Sequence, residues 1–223
     1  MRTLAILPVK SFGAAKQRLA PAFDGEARSM LARAMFEDVL ASLRSVPGLD
    51  GLAVVTADAL AAAAARGAGA VVLPDTEQAG QSAAASIGVA FALAEDFERV
   101  LLVPGDTPLL DPAELGVLLG SRRPVSIVPD RHGMGTNALL LRPPDAIAPS
   151  FGPGSLERHV TAADAVGRPA LVHEVPSLML DVDTGDDLSA LVAALAERPG
   201  RAPSTRRALR GLERRPRDPA VPA

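Results

Sequence analysis

Lys10 and Lys16 are the only lysines among 23 basic residues, and both fall in one loop that also carries Arg18. The loop follows the apolar run Leu4-Ala5-Ile6-Leu7-Pro8-Val9 and is otherwise made of small residues around Phe12. Three cations within nine positions suit a ligand as highly charged as a triphosphate. Compact ammonium groups on flexible stems also suit charge that shifts during reaction. The plainer reading is a solvated basic loop in an arginine-biased chain. A drift toward arginine that spared only these two positions would be hard to explain.

Carboxylates in two distant loops complement those cations. Pro104-Gly105-Asp106-Thr107-Pro108 follows the apolar run 99–103; Gly105 permits a tight backbone and Asp106 offers oxygen to a hard cation. Asp111-Pro112 supplies a cap for the next helix, so Asp106 is not needed for that task. Later, Leu180-Asp181-Val182-Asp183-Thr184 places two acids two residues apart, on one side of an extended chain. Thr184 or Asp183 can cap the following helix, which accounts for one acid and leaves one for a metal. Asp106 with Asp183 or Asp181 is a reasonable set for Mg²⁺ that also takes phosphate oxygens. Ahead of both in the chain, the small-residue loop containing Gly80 and Ser82 leaves room for a nucleobase.

Other function classes are excluded. Without cysteine there is no thiolate or disulfide chemistry, and the expected compartment is the cytoplasm. Aromatic residues make up 3% with no Trp or Tyr, too few for a stacking platform on nucleic acid. No apolar stretch is long enough for a membrane span. Residues 201–223 hold seven arginines, two acids and four prolines, a net charge of +5 against −8 for the remainder. This composition predicts a disordered tail over 199–223, with room for a helical turn near Ala208-Leu209-Arg210, after a domain over 1–198. A solubilising extension explains it more simply than an acidic partner. His132 and His173 read as non-catalytic.

The elements that must position these groups alternate. Strands are expected at 3–9, 51–56, 70–73, 99–103, 125–129, 136–142, 170–174 and 178–182, and helices at 26–45, 58–66, 79–95, 111–120, 155–165 and 185–197. Repeated strand–helix units in the first half predict a mostly parallel sheet covered on both faces. Closely spaced strands in the second half predict some antiparallel pairing. Such α/β sheets bind ligands beyond the carboxyl ends of their strands, where the candidate loops lie.

Taken in order, Pro8-Val9-Lys10, Ala15-Lys16-Gln17-Arg18-Leu19, Gly105-Asp106-Thr107-Pro108-Leu109, Gly135-Thr136-Asn137-Ala138-Leu139, Phe151-Gly152-Pro153-Gly154-Ser155 and Leu180-Asp181-Val182-Asp183-Thr184 resemble the guanylyltransferase family of coenzyme F420 biosynthesis. The resemblance spans about residues 1–197; Gly-Thr-Asn with Phe-Gly-Pro-Gly-Ser is its most specific part. It implies one nucleotidyltransferase-type domain, glycosyltransferase-A-like and Rossmann-like, with a mixed sheet flanked by helices. It further implies transfer of GMP from GTP to a three-carbon phospho-acid with Mg²⁺. Lys10, Lys16, Arg18 and Asp106 would be catalytic; Pro8, Lys16, Gly80, Ser82 and Gly105 would bind nucleotide; Asp106, Asp181 and Asp183 would bind metal. Thr136, Gly152 and Ser155 would hold the acceptor, with Arg158 and His159 nearby to meet a second anionic group. Phosphoenolpyruvate, 2-phospho-L-lactate and 3-phospho-D-glycerate are the family's acceptors; arginine richness associates with phosphoenolpyruvate. The product would pass to the next transferase of the F420 pathway, with a homodimer left open. Another nucleotidyltransferase of this fold, acting on a molybdopterin or sugar phosphate, and a non-enzymatic nucleotide-binding subunit are the competing readings.

Overall fold

Near-continuous apolar strands fold into a sheet that is buried on both faces. The computed structural model describes residues 1–214. In chain order these form β1 (Thr3–Val9), α1 (Gly25–Arg44), β2 (Gly51–Thr56), α2 (Ala59–Gly67), β3 (Val71–Pro74), α3 (Gln81–Ala94), β4 (Arg99–Leu102) and α4 (Pro112–Leu119). There follow β5 (Val125–Pro129), β6 (Thr136–Leu141), α5 (Ser155–Ala165), β7 (Leu171–Val172), α6 (Gly185–Glu197) and α7 (Pro203–Glu213). The seven strands run in the order β3-β2-β1-β4-β6-β5-β7. The β3-β2-β1-β4 half is parallel; β6 runs antiparallel to both β4 and β5, and β7 pairs parallel with β5.

Alternation along β1 divides the core. Ala5, Leu7 and Val9 join Ala32, Phe36 and Val39 of α1 and Leu115 of α4 on one face. Leu4 and Ile6 join Ala84, Ala85 and Val89 of α3 on the other. On that face α3 lies so near β1 that a Cβ on Gly88 would overlap Ile6, so only glycine fits there. A third cluster lies off the sheet, where Leu31 and Met35 of α1 meet Leu191 and Leu195 of α6, with Leu209 and Leu212 of α7 against them.

Two expectations are corrected. Residues 178–182 form no strand: Leu178 and Met179 turn back to the Val175 carbonyl (2.8 and 3.2 Å), and Val182 reaches only the Asp106 carbonyl (3.2 Å). The antiparallel β6 occupies the sheet position beside β4, and residues 178–182 pass outside the sheet, turning toward the Asp106 loop instead. The expected disordered tail is helical over Pro203–Glu213 and packs on α1. Its anchor is Asp38, buried in the middle of α1, whose two carboxylate oxygens accept from Ser204 N (3.0 Å) and Thr205 N (2.7 Å). A carboxylate from another helix thus satisfies the first amides of α7, whose own N-terminus has no side-chain cap. The rest of the expected tail, 215–223, lies outside the described residues.

Candidate active site

Every parallel strand of the first half ends at one cleft of about 450 Å³. Pro8 and Val9 reach it from β1, Ala57 from β2, Asp75 and Gln78 from β3, and Pro104, Gly105 and Asp106 from β4; Gly80 and Gln81 at the start of α3 and Asp183 complete the wall. Of the expected nucleotide and catalytic residues, Pro8, Lys10, Lys16, Gly80, Gly105 and Asp106 therefore share one cavity. Arg18 does not: it is exposed and forms no part of the wall. Ser82 is likewise outside the wall, its hydroxyl accepting from Phe151 N at 2.8 Å.

The lysine loop is stiffened by a residue that sequence patterns did not single out. Asp58 caps α2 with one oxygen, accepting from Leu60 N (2.9 Å) and Ala61 N (3.0 Å). With the other it accepts from Phe12 N (3.0 Å) and the Ser11 hydroxyl (3.3 Å), across the gap to the loop. Partial burial disfavours its charge, but these four hydrogen bonds outweigh burial and hold the carboxyl below its ordinary range. An Asp at a helix N-cap is common, and its second oxygen gives no signal in sequence.

Lys16 is the electrostatic centre. It sits in left-handed backbone (φ 56°, ψ 39°), a conformation costly for a side-chain-bearing residue. There its buried ammonium donates to Asp106 Oδ2 and, at 2.9 Å, to Asp183 Oδ1. Burial works against the charged ammonium, yet the two carboxylates overcome it and raise the lysine above its ordinary pKa. Asp106 and Asp183, far apart in sequence, thus converge on one cation. Asp106 Oδ1 is buried without a partner, an oxygen left for another ligand. No group of three or more His, Asp or Glu residues able to hold a metal occurs among the described residues. Two carboxylates plus ligand oxygens is therefore the donor set on offer, and it fits a hard divalent ion that also binds phosphate.

Asp181 stands behind the pair. Its Oδ1 accepts from Asn137 Nδ2 at 3.0 Å, and the same amide donates to the Leu178 carbonyl at 2.9 Å. Burial, then the charge of Asp106 and to a lesser degree Asp183, raises Asp181 to about 6, with the Asn137 hydrogen bond opposing. Thr184 rather than Asp183 caps α6, in a reciprocal box with Asp187. That frees the Asp183 carboxylate for the cleft, while its backbone N–H donates to Asp187 Oδ2 at 3.1 Å. Arg131 pairs with the other oxygen of Asp187 at 2.7 Å, tying the 130–135 loop to this cap.

The expected acceptor residues form a neighbouring group outside the cleft wall. Thr136 opens β6, its hydroxyl 3.0 Å from His159 Nδ1, and Asn137 beside it carries the bond to Asp181. Gly152 turns the preceding loop at φ +107°, a value that disfavours any side chain. Ser155, 1% exposed, leaves its hydroxyl buried without a partner. The start of α5 offers fewer free amides than expected, since Ser155 N donates to Gly152 O (3.0 Å) and Leu156 N to Met134 O (3.2 Å). Arg158 is spent on its own loop: it donates to the carbonyls of Ser150 (2.9 Å), Phe151 (3.2 Å) and Pro153 and to the Ser150 hydroxyl (2.9 Å). His159 is buried and held neutral, lowered to about 4 by burial and by Arg158, so it does not offset an anion's charge. His132 is exposed, and the His173 ring lies 3.1 Å from Ser126 Oγ while its backbone N–H donates to Ile127 O (2.8 Å).

Comparison with known proteins places these features in a wider set. The family model described as "Guanylyl transferase CofC like" matches residues 3–201. The phosphoenolpyruvate guanylyltransferase of Conexibacter woesei is 49% identical over 218 residues, covering 96% of this chain and 98% of that protein. The enzyme of the same name from Rubrobacter xylanophilus is 39% identical, covering 91% and 100%. Among solved structures, a putative nucleotide-diphospho-sugar transferase from Desulfovibrio desulfuricans G20 shares the fold, with a TM-score of 0.76 over 96% of each chain at 19% identity.

Proposed function

The chain belongs to the CofC-like guanylyl transferase family, and on that premise we propose that it is a phosphoenolpyruvate guanylyltransferase of coenzyme F420 biosynthesis. The reaction joins GTP and phosphoenolpyruvate to give enolpyruvoyl-2-diphospho-5′-guanosine and pyrophosphate. A phosphate oxygen of the acceptor bonds to the α-phosphorus of GTP as the α–β bridging P–O bond breaks, and the electron pair leaves on pyrophosphate. The nucleophile is already an anion near neutral pH, so the site needs no general base. Positioning and charge neutralisation do the catalysis.

The observation that carries this reading is the convergence of Asp106 and Asp183 on a single buried cation at the strand ends. Mg²⁺ held by these two carboxylates, with Asp181 behind them, would neutralise triphosphate oxygens. Lys16, buried, and Lys10, exposed, both line the cleft and would stabilise bridging and leaving oxygens of the triphosphate. Pro8, Gly80 and Gly105 line the nucleotide's seat. Thr136, Gly152 and Ser155 hold the three-carbon acid. The compartment is the cytoplasm; no helix among the described residues is long and apolar enough to cross a membrane.

Incubation with GTP, Mg²⁺ and each of phosphoenolpyruvate, 2-phospho-L-lactate and 3-phospho-D-glycerate tests this. The expected result is pyrophosphate release together with the mass of the phosphoenolpyruvate–GMP adduct. Turnover with another acid alone would reassign the acceptor. Tighter calorimetric binding of CTP or UTP than of GTP would reassign the donor.

A further inference from the structure

We infer that His159 is a positioning residue for acceptor recognition, locked as the neutral Nδ1–H tautomer so that the Thr136 hydroxyl can only donate to the bound anion. The inference rests on the reading of Thr136 and Ser155 as the acceptor site, and it follows from hydrogen-bond bookkeeping around one ring. Ser150 N is a backbone amide and can only donate; it lies 2.9 Å from His159 Nε2, which must therefore present its lone pair. In a neutral imidazole the proton is then on Nδ1, and Nδ1 lies 3.0 Å from Thr136 Oγ1. Nδ1–H thus donates to the Thr136 oxygen, and the hydroxyl proton of Thr136 is released for a third partner. The ring has no freedom to exchange these roles. It is fully buried, its edge is packed against Phe151 (centroids 5.4 Å apart, 74° between planes), and both nitrogens are engaged.

The same ring organises the rest of the acceptor wall. Ser155 lies four residues earlier on α5, on the same helix face, with its buried hydroxyl unpartnered. Ser150 opens the loop that turns through Gly152, so the Nε2 bond also holds that loop against α5. The acceptor is then met by two hydroxyl donors whose protons are uncommitted within the protein. An imidazolium could not do this, because Nε2–H would oppose Ser150 N–H and expel the loop. A neutral wall also leaves the anion's charge available to the cations on the other side of the reacting phosphorus.

The two bonds can be cut separately. His159→Gln keeps an acceptor for Ser150 N–H near the Nε2 position and loses the donor to Thr136; His159→Asn keeps a donor near Nδ1 and loses the acceptor for Ser150. We expect His159→Gln to raise the acceptor KM about 2- to 15-fold, the range for one neutral hydrogen bond, with the KM for GTP within about two-fold. Thr136→Val should raise it about 10- to 150-fold, and adding His159→Gln to that variant should change it no further. His159→Asn should lower the melting temperature more than His159→Gln while affecting the acceptor KM less. An unchanged acceptor KM in His159→Gln, or effects that multiply in the double variant, would overturn the role of His159 alone. An unchanged acceptor KM in Thr136→Val would overturn the acceptor site itself, and this inference with it. If the variants do not fold, ¹⁵N spectra of the wild-type imidazole at neutral pH still decide. A protonated Nδ1 with a bare Nε2 is expected, and the opposite tautomer or an imidazolium sinks the proposal.

Discussion

On the proposed reading, the two sides of the site would recognise anions by different means. On the parallel half, the cleft is dense with charge: Lys16 between Asp106 and Asp183, Lys10 at the rim, and Asp181 behind. On the antiparallel half, the proposed acceptor group is neutral: two hydroxyls, an uncharged histidine and an asparagine, with Arg158 committed to loop carbonyls and Arg131 to Asp187. The difference teaches where each ligand's charge is balanced. A triphosphate brings more charge than buried dipoles can offset, so a side built from ions that could exchange partners with metal and phosphate would suit it. A small nucleophilic anion loses reactivity if cations hold it tightly, and hydroxyl donors orient it without quenching it.

Breaking the charged side should have the largest effect. Asp106→Asn removes a carboxylate from Lys16 and from the ion position, and kcat/KM should fall by about 10²- to 10³-fold or more. Asp183→Asn should follow closely, with Asp181→Asn the mildest of the three, because Asp181 is bonded to Asn137 rather than to Lys16. Steady-state kinetics with both substrates saturating in turn would check the order. An Asp181 variant as damaged as the Asp106 variant would move the ion toward Asn137.

Removing residues 201–223 should come next, and it acts on the charged side from below. The third core cluster contains Leu109 and Val182, neighbours of the Asp106 and Asp183 loops, and α7 closes it. Loss of that cover and of both donors to Asp38 should cost about 2–4 kcal/mol, read by denaturant unfolding. A truncated protein with unchanged stability would show that α7 contributes no net docking energy. On the neutral side, Ser155→Ala should raise the acceptor KM about 10- to 150-fold, a cost of about 1.5–3 kcal/mol for one hydrogen bond to an anion. Under the same conditions the KM for GTP should stay within about two-fold.

The two sides should also differ in the sign of their pH dependence. His159, lowered to about 4 in the fold, takes up a proton more readily in the unfolded chain. Its contribution to stability is therefore complete above about 6.5 and lost as pH falls toward about 4. Asp181, raised to about 6, binds its proton more readily in the fold, so its contribution is complete below its ordinary value of 3.8 and lost as pH rises through about 6. Between these limits each slope approaches about 1.4 kcal/mol per pH unit at most, and they partly cancel. Urea unfolding across pH 4–7 in chelator should show a shallower rise for His159→Gln and a steeper one for Asp181→Asn. Parallel curves for the two variants would erase the distinction.

Most of the scaffold was legible because its signals are periodic and local. Of the stripe Met30, Leu31, Ala34, Met35, Val39 and Leu43, all but the half-buried Met30 are buried as helical spacing requires, and the first seven expected strands lie close to where the sequence places them. The loops bearing Lys16, Asp106 and Asp183 were legible because small residues and isolated charges beyond strands have few other uses. What escaped is what depends on a partner far along the chain. Residues 178–182 carry a strand's pattern, but their backbone bonds go to Val175 and to the Asp106 loop, contacts set by distant chain that the pattern does not report. Asp38 looks like an ordinary polar residue of α1 until Ser204 and Thr205 return to it. The composition of α7, arginine-rich with few apolar residues, conceals a helix because Ala208, Leu209 and Leu212 suffice once α1 is present to receive them. Likewise the neutrality of His159 rests on burial and on Arg158, and its ring contacts on a backbone amide and a hydroxyl, none of which a sequence motif reports.

The third core cluster has a consequence for how the chain comes into being. Its members run from Leu19 and Leu31 near the beginning to Leu209 and Leu212 near the end, with little between them until Leu109. During vectorial synthesis the strands β1, β2, β3 and β4 and the helices covering them can assemble as they emerge. The outer face of α1 cannot be covered then, because α6 and α7 have not yet been made. Leu31 and Met35 must wait in water, or on a chaperone, until nearly the whole message has been translated. A ribosome stalled in the last stretch would hold a nascent chain with its sheet formed and its longest helix still sticky on one side.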